Sequence, residues 1–193
     1  MSDVVTILGI AGSLRKASFN RAALRAAQGL VPEGARLEIF DLNGIPPFNQ
    51  DHEQEPPQSV VELKRKIHAA NAILFVTPEY NYSIPGVLKN AIDCASRPYG
   101  DNAWEGKPVA LMGASIGNLG TARAQYHLRQ SFVFLDMHPL NKPEIMIGNA
   151  AERFDERGEL ICEKTRELIR QLLSALIAWT RTLKTAAESR PGA

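Results

Sequence analysis

Short apolar runs without alternation constrain this chain most. VVTILGIAG (4–12) is rich in β-branched residues, is too short for a buried helix and runs straight into polar turn residues. That is the pattern of a parallel strand covered on both faces. AILFVTP (72–78) repeats it and ends where Pro78 removes an amide donor. KPVALMGAS (107–115) does the same and enters a Gly-rich turn. RLEIFDL (36–42) alternates as a further strand, second in chain order, and PEIMIG (143–148) is a short fifth.

Helical spacing fills the intervals. From Asn20 onward Ala22, Ala23, Ala26, Ala27 and Leu30 share a face, with Ser18 or Asn20 as N-cap. SVVELKRKIHAANA (59–72) is amphipathic through Val60, Leu63, Ile67 and Ala70. Pro85, suited to a first helical position, opens a helix carrying Val87, Leu88, Ala91, Ile92 and Ala95. TARAQYHLRQSFVFL (121–135) is the fourth helix, and Leu168, Leu172, Leu173, Leu176 and Ile177 mark a long closing one. Five strands alternating with five helices predict a doubly wound α/β sheet, because parallel strands need crossover connections. Residues 1–184 are expected to form a single domain, followed by a frayed polar tail at 185–193. GIPPFNQDHEQEPP (44–57) reads as a long loop at the carboxyl end of the second strand, of a length that is often functional.

Charge narrows the function classes. With 22 basic and 21 acidic residues the net charge is +1, so no field of one sign draws the chain toward nucleic acid or an anionic membrane. Any anion site must be local. Cys94 and Cys162 lack CxxC or metal-ligand spacing, which argues against a disulfide framework or zinc site and fits a reducing cytoplasm. The start, MSDVVTILGIAGS, has no basic n-region, and no run is long enough to span a bilayer; export and membrane insertion are not expected.

GSLRKASFN (12–20) crowds two hydroxyls, two cations and an amide into the turn after the first strand. In open α/β sheets ligands bind outside the carboxyl ends of strands, where the strand order reverses. A helix N-terminus there offers unpaired amides and a positive dipole end, both suited to a phosphate. Ser13, Ser18 and Asn20 add donors and Arg15 a guanidinium fork. The plainer alternative is that Ser18 only caps the helix while Arg15 and Lys16 are solvated. Neither GxxxxGK[ST] nor GxGxxG is present, which disfavours nucleoside triphosphates and a Rossmann dinucleotide site.

Taken with TPEYNYSIPGVLKNAIDCASRP (77–98) and GASIGNLGTARAQYHLRQ (113–130), that loop resembles the NAD(P)H-dependent FMN reductase family, in particular its chromate- and quinone-reducing branch. The resemblance runs along nearly the whole chain. PEYN, a small residue, Ile-Pro and a helix with Leu-Lys-Asn-Ala-Ile-Asp are its most specific part. It implies a flavodoxin-like three-layer sandwich, a five-stranded parallel sheet of order 2-1-3-4-5, and one FMN per subunit. By motif match Ser13, Arg15, Ser18 and Asn20, with the backbone of Leu14 and Phe19, would hold the FMN phosphate. Pro78, Glu79, Tyr80 and Asn81 would lie along the isoalloxazine, with Ser115 and Gly117 on its opposite side. One departure is Gly120-Thr121, where relatives often carry Gly-Gly.

The implied activity is hydride transfer from NADPH or NADH through FMN to a quinone, flavin, azo dye or metal oxyanion. That chemistry needs no side-chain nucleophile, so no catalytic acid or base and no metal ligand is nominated. Arg15, Lys16 and Arg97 are candidates for a ribose phosphate. The resemblance also implies a homodimer or homotetramer, with FNQD (48–51) similar to a loop that approaches a neighbouring subunit's site. A flavodoxin-type electron carrier and a non-enzymatic flavin-binding regulator share the fold and remain alternatives at this point. Cys94 reads as core, His127 and His138 as surface or satisfied histidines, and Trp104 as a loop anchor or a cover for the site mouth. Arg123 and Tyr126 belong to a subunit contact or an exposed helix face.

Overall fold

β1 (Val5–Ala11) lies between β2 (Ala35–Phe40) and β3 (Ala72–Val76) and is parallel to both: Ile7 pairs with Leu37 on one side and Ala72 on the other. This computed structural model describes residues 4–189. β4 (Pro108–Ala114) extends the sheet beyond β3. β3 and β4 are buried along their whole length and β1 everywhere except Thr6, which explains their unbroken apolar runs. β2 is an edge strand, and only Leu37 of it is buried.

The strand order is β2-β1-β3-β4-β5, the order 2-1-3-4-5 expected, but the fifth position is filled by two pieces. β5 (His138–Pro139) pairs with Pro108 and Val109, and β6 (Ile145–Ile147) with Met112, Gly113 and Ala114. The fifth strand read at 143–148 is thus the second half of an interrupted edge. His138–Pro139 gave no strand signal because it is two residues long and contains a proline, which an edge tolerates.

α1 (Phe19–Gly29) and α5 (Glu163–Glu188) cover one face, where Ala23, Leu24 and Ala27 meet the layer of Ile169, Leu172, Leu173 and Leu176. α2 (Gln58–Ala69), α3 (Gly86–Ala95) and α4 (Ala122–Phe134) cover the other through Leu63, Ile67, Leu88, Ile92, Leu128 and Phe132. The result is a three-layer sandwich with a core on each side of the sheet. Phe75 centres the second core, stacked on Phe132 at 5.9 Å and tilted against Trp104 at 5.5 Å. Trp104 is fully buried and donates to the Ile92 carbonyl at 3.0 Å, so it anchors its loop instead of covering a mouth.

Some boundaries move. Pro85 is the N-cap of α3, not its first helical residue. α5 continues to Glu188, past the expected end at Lys184, while 190–193 of the expected tail and residues 1–3 lie outside the described residues. No helix among the described residues is long and apolar enough to cross a membrane.

The topology places a site. From β1 the chain leaves to α1 on one face; from β3 it leaves to α3 on the other. The loops diverge, and a crevice opens between them at the carboxyl ends of β1 and β3.

Candidate functional site

The first wall is the turn between β1 and α1. Ser18 is the N-cap: extended backbone lets its Oγ accept from the amides of Asn20 at 3.2 Å and Arg21 at 3.4 Å. Its own amide donates to the Arg15 carbonyl at 3.1 Å, closing the turn. The amides of Leu14, Arg15, Ala17 and Phe19 donate to no protein acceptor among the described residues. Ser13 is 5% exposed, yet its hydroxyl makes no hydrogen bond among them. No acidic residue stands in the turn or in the first turn of α1. Arg15 folds back so that Nη2 donates to the Ala17 carbonyl at 2.5 Å, leaving its other N–H groups outward.

Asn20 sits inside α1, and both ends of its side-chain amide engage β4. Nδ2 donates to the Ala114 carbonyl and Oδ1 accepts from the Ala114 amide, each at 2.8 Å. The residue therefore ties the phosphate-type turn to the last residue of β4. Gly12 packs the turn from below: a Cβ there would stand 3.1–3.2 Å from Leu88, Pro85 and Pro78.

The second wall follows β3. Tyr80 and Ser83 exchange backbone hydrogen bonds of 3.2 and 3.0 Å, and the two residues between them, Asn81 and Tyr82, have φ of 51° and 65°. Left-handed backbone is routine for asparagine and strained for tyrosine, on the order of 1–2 kcal/mol. What holds Tyr82 there is Arg123, whose guanidinium carbon stands 3.7 Å from the ring centroid. The turn leaves Tyr80 52% and Tyr82 67% exposed at the rim of the crevice, while Pro78 forms its buried floor.

Glu79 points the other way. Its carboxylate accepts from the amides of Arg123 at 3.0 Å and Ala124 at 3.1 Å, and from Arg123 Nε at 2.5 Å. Thr121, the N-cap of α4, supplies no side-chain cap, so Glu79, 44 positions before Arg123, does it. Opposition of the two charges also raises the Arg123 pKa, chiefly through the Glu79 hydrogen bond. Of the four residues expected along a flavin, Glu79 is thus a brace, Tyr80 and Asn81 form the open surface and Pro78 lies buried beneath them.

The third wall follows β4. Ser115 donates its amide to Ile147 and accepts the Gly117 amide on Oγ at 3.2 Å. The segment after β6 supports it: Ala150 donates to the Ser115 carbonyl, Asn149 to the Gly117 carbonyl, and Asn149 Nδ2 to Asn118 Oδ1 at 3.1 Å. Ile116 and Leu119 stand 72% and 63% exposed above it. The Thr121 departure has a local partner: a Cβ on Gly113 would come within 2.1 Å of Thr121 Oγ1, so the absent Cβ at 113 makes room for the threonine.

These residues fit FMN. The first wall offers unpaired amides, hydroxyls and positive charge with no carboxylate, which suits a phosphate dianion. The second and third offer an aromatic face, backbone amides and a glycine across a short gap, suited to a flat polar-edged ring. Arg97 is apart from the crevice, beyond the C-terminus of α3 and stacked on Tyr99 at 4.1 Å. FNQD is tied to α3 of this chain, with Phe48 donating its amide to Asn90 Oδ1 at 2.7 Å and Asn90 Nδ2 donating to the Pro46 carbonyl at 2.8 Å. His127 Nδ1 lies 3.0 Å from Ser83 Oγ, and the Cys94 thiol is buried with its pKa pushed up by desolvation. Sequence reasoning missed the bracing roles of Glu79, Asn149 and Gly113, each of which acts on a residue distant in the chain.

Residues 5–152 match the NADPH-dependent FMN reductase family. An NAD(P)H-dependent FMN reductase of Pseudomonas aeruginosa is 56% identical over 185 residues, 95% of this chain and 100% of that one. A quinone reductase of Pseudomonas putida is 43% identical over 182 residues, 94% of this chain and 97% of that one. Among solved structures, the flavoenzyme NAD(P)H:(acceptor) oxidoreductase FerB from Paracoccus denitrificans superposes with a TM-score of 0.85 at 36% identity, covering 93% of this chain and 98% of that one.

Proposed function

The chain belongs to the NADPH-dependent FMN reductase family, and from that premise we propose how its own residues serve the reaction. It is an FMN-dependent NAD(P)H oxidoreductase, with quinones among its acceptors. When bound, FMN supplies the ring chemistry that takes a hydride from reduced nicotinamide and hands it to the acceptor. The protein's part is positional. The amides of Leu14, Arg15 and Phe19, with the Ser13 and Ser18 hydroxyls and the Arg15 guanidinium, hold the phosphate; Asn20 keeps that turn in register with β4. Pro78, Tyr80 and Asn81 bear on one side of the ring, and Ser115 and Gly117 on the other. No side chain is assigned as acid or base.

The observation that carries this reading is the set of unpaired amides around a buried, unpartnered Ser13, with no carboxylate in the turn. Titrating the purified protein with FMN and following flavin fluorescence tests it, together with NADPH oxidation in the presence of a benzoquinone. Saturable quenching with turnover above that of free FMN is expected. No saturation, or turnover equal to free FMN, overturns the assignment.

The acceptors extend in this reading to azo dyes and metal oxyanions, because the exposed Tyr80, Ile116 and Leu119 frame a broad apolar mouth. The chain works in the cytoplasm, a location that suits its free thiols Cys94 and Cys162. It assembles as a homodimer or homotetramer: Val133 and Phe134, 84% and 73% exposed on α4, are the apolar surface such an interface uses. Sedimentation returning only the 21.2 kDa species at micromolar concentration overturns that point.

A further inference from the structure

The segment that follows β6 stands behind the third wall and grips it by its carbonyls. Ala150 donates its amide to the Ser115 carbonyl at 3.0 Å, and Asn149 donates its amide to the Gly117 carbonyl at 3.3 Å. The Asn118 carbonyl turns the same way: a Cβ on Gly148 would stand 2.4 Å from its oxygen and 3.0 Å from its carbon. No side chain fits between them, so glycine at 148 is what allows the approach. Asn149 takes the left-handed backbone this path needs, with φ of 50°, and its Nδ2 closes the grip on Asn118 Oδ1 at 3.1 Å.

Peptide geometry turns this grip into an arrangement of donors. The peptides joining 115 to 116, 117 to 118 and 118 to 119 are trans. A planar trans peptide points its N–H opposite to its C=O. With the carbonyls of Ser115, Gly117 and Asn118 directed at the brace, the amides of Ile116, Asn118 and Leu119 point away from it. None of the three donates to a protein acceptor among the described residues, and residues 113–121 contain no carboxylate. β6 pairs with β4 on the side opposite β3, so the direction away from the brace is that of the second wall, across the crevice. Further along the same segment, Phe154 packs its ring on Phe19 of the phosphate-type turn at 5.5 Å. One stretch of chain thus supports both ends of the site.

We propose that Gly148 and Asn149 are positioning residues for the flavin step: by holding the third wall they aim the amides of Ile116, Asn118 and Leu119 into the crevice, where these donors favour the reduced ring over the oxidised one. The inference rests on the reading of the crevice as the FMN site. A hydride, two electrons and one proton, leaves the nicotinamide as a cation and adds one negative charge to the ring. Donors fixed in advance around a place where negative charge develops stabilise it without rearranging. The oxidised cofactor is held chiefly at the phosphate-type turn, whose hydrogen bonds involve neither Gly148 nor Asn149. Changing these two residues therefore moves the balance between the redox forms more than it moves the affinity for FMN.

Two measurements on the FMN-loaded protein test this: the two-electron midpoint potential of bound FMN, by equilibration with a reference dye, and the FMN dissociation constant, by fluorescence. Gly148→Ala displaces the peptide between 118 and 119, at a position outside the left-handed region where alanine meets no backbone strain. Asn149→Gly keeps the left-handed turn and removes the bond to Asn118 Oδ1. In Gly148→Ala reduced FMN loses about tenfold more affinity than oxidised FMN, which lowers the midpoint potential by about 30 mV. Asn149→Gly shifts it the same way by about threefold, or about 15 mV. Affinity for oxidised FMN stays within about threefold of the parent's in both, the scale of surface changes. Where Gly148→Ala does not fold, the potential of Asn149→Gly decides. If the variants bind FMN at the parent's potential, the segment only supports the fold; the positioning role is overturned and the reductase reading stands. If both lose FMN altogether, the segment serves cofactor binding as such and the proposal is likewise overturned. A parent protein that takes up no FMN removes the reductase reading itself.

Discussion

The carboxylate of Glu79, in the turn after β3, caps α4 by accepting the amides of Arg123 and Ala124, and the Arg123 guanidinium closes on the same carboxylate. One residue therefore ties the second wall of the site to the helix behind the third. Glu79→Ala removes the cap and frees Arg123 from its place over Tyr82. A lost N-cap is worth about 1–2 kcal/mol, so the melting temperature falls by about 2–8 °C. A melting curve that does not move contradicts the capping role.

Ser18 separates two functions that sequence alone merges. Aspartate is an equally good N-cap, so Ser18→Asp keeps the bonds to Asn20 and Arg21 and leaves the melting temperature within about 2 °C. It also puts a carboxylate among the donors of the phosphate turn. FMN affinity then drops by about 100-fold, the scale expected for like charges in a partly desolvated site. Fluorescence titration beside a thermal melt measures both; undiminished FMN binding moves the phosphate elsewhere.

Asn20 makes the complementary case. Because both ends of its amide are bonded to Ala114, Asn20→Ala strands a buried donor and acceptor at the end of β4. The cost is about 2 kcal/mol, or a melting temperature lower by about 4–8 °C. FMN affinity weakens along with it as the turn loosens. A variant with weakened FMN binding but the parental melting temperature would instead mean that Asn20 touches the phosphate directly.

Cys162, the N-cap of α5, predicts a pH dependence. A hydrogen bond from the Thr165 hydroxyl, then the Thr165 amide and Arg153, hold its thiol down to about 7 from an ordinary 9.0. Arg153 Nη1 stands 3.3 Å from the sulfur. Since the folded value lies below the unfolded one, the thiolate's contribution to stability is complete above about 9, declines as pH falls, and is gone below about 7. Iodoacetamide labelling of the native protein is expected to inflect near pH 7 at Cys162, while Cys94 stays protected in the core. Thr165→Val shifts the inflection upward; labelling that still inflects near 9 in the parent rules out the stabilised thiolate.

How far the fold was legible follows from where each signal is stored. VVTILGIAG, AILFVTP and KPVALMGAS announce doubly covered strands because burial on both faces forces every position to be apolar. Ser18 announces its helix because capping is a contact within three residues. His138–Pro139 could not announce itself, since an edge pairing of two residues leaves no periodicity.

Sequence by itself determined the layers, the direction of each crossover and the carboxylate-free turn after the first strand, since these depend on neighbours in the chain and on the right-handedness of parallel connections. Only tertiary structure decided that Asn20 serves Ala114, that Glu79 serves α4, and that Gly113 yields space to Thr121. Those roles pair residues separated by 94, 45 and 8 positions, and a side chain's partner at such distances is set by packing rather than by anything local to the residue.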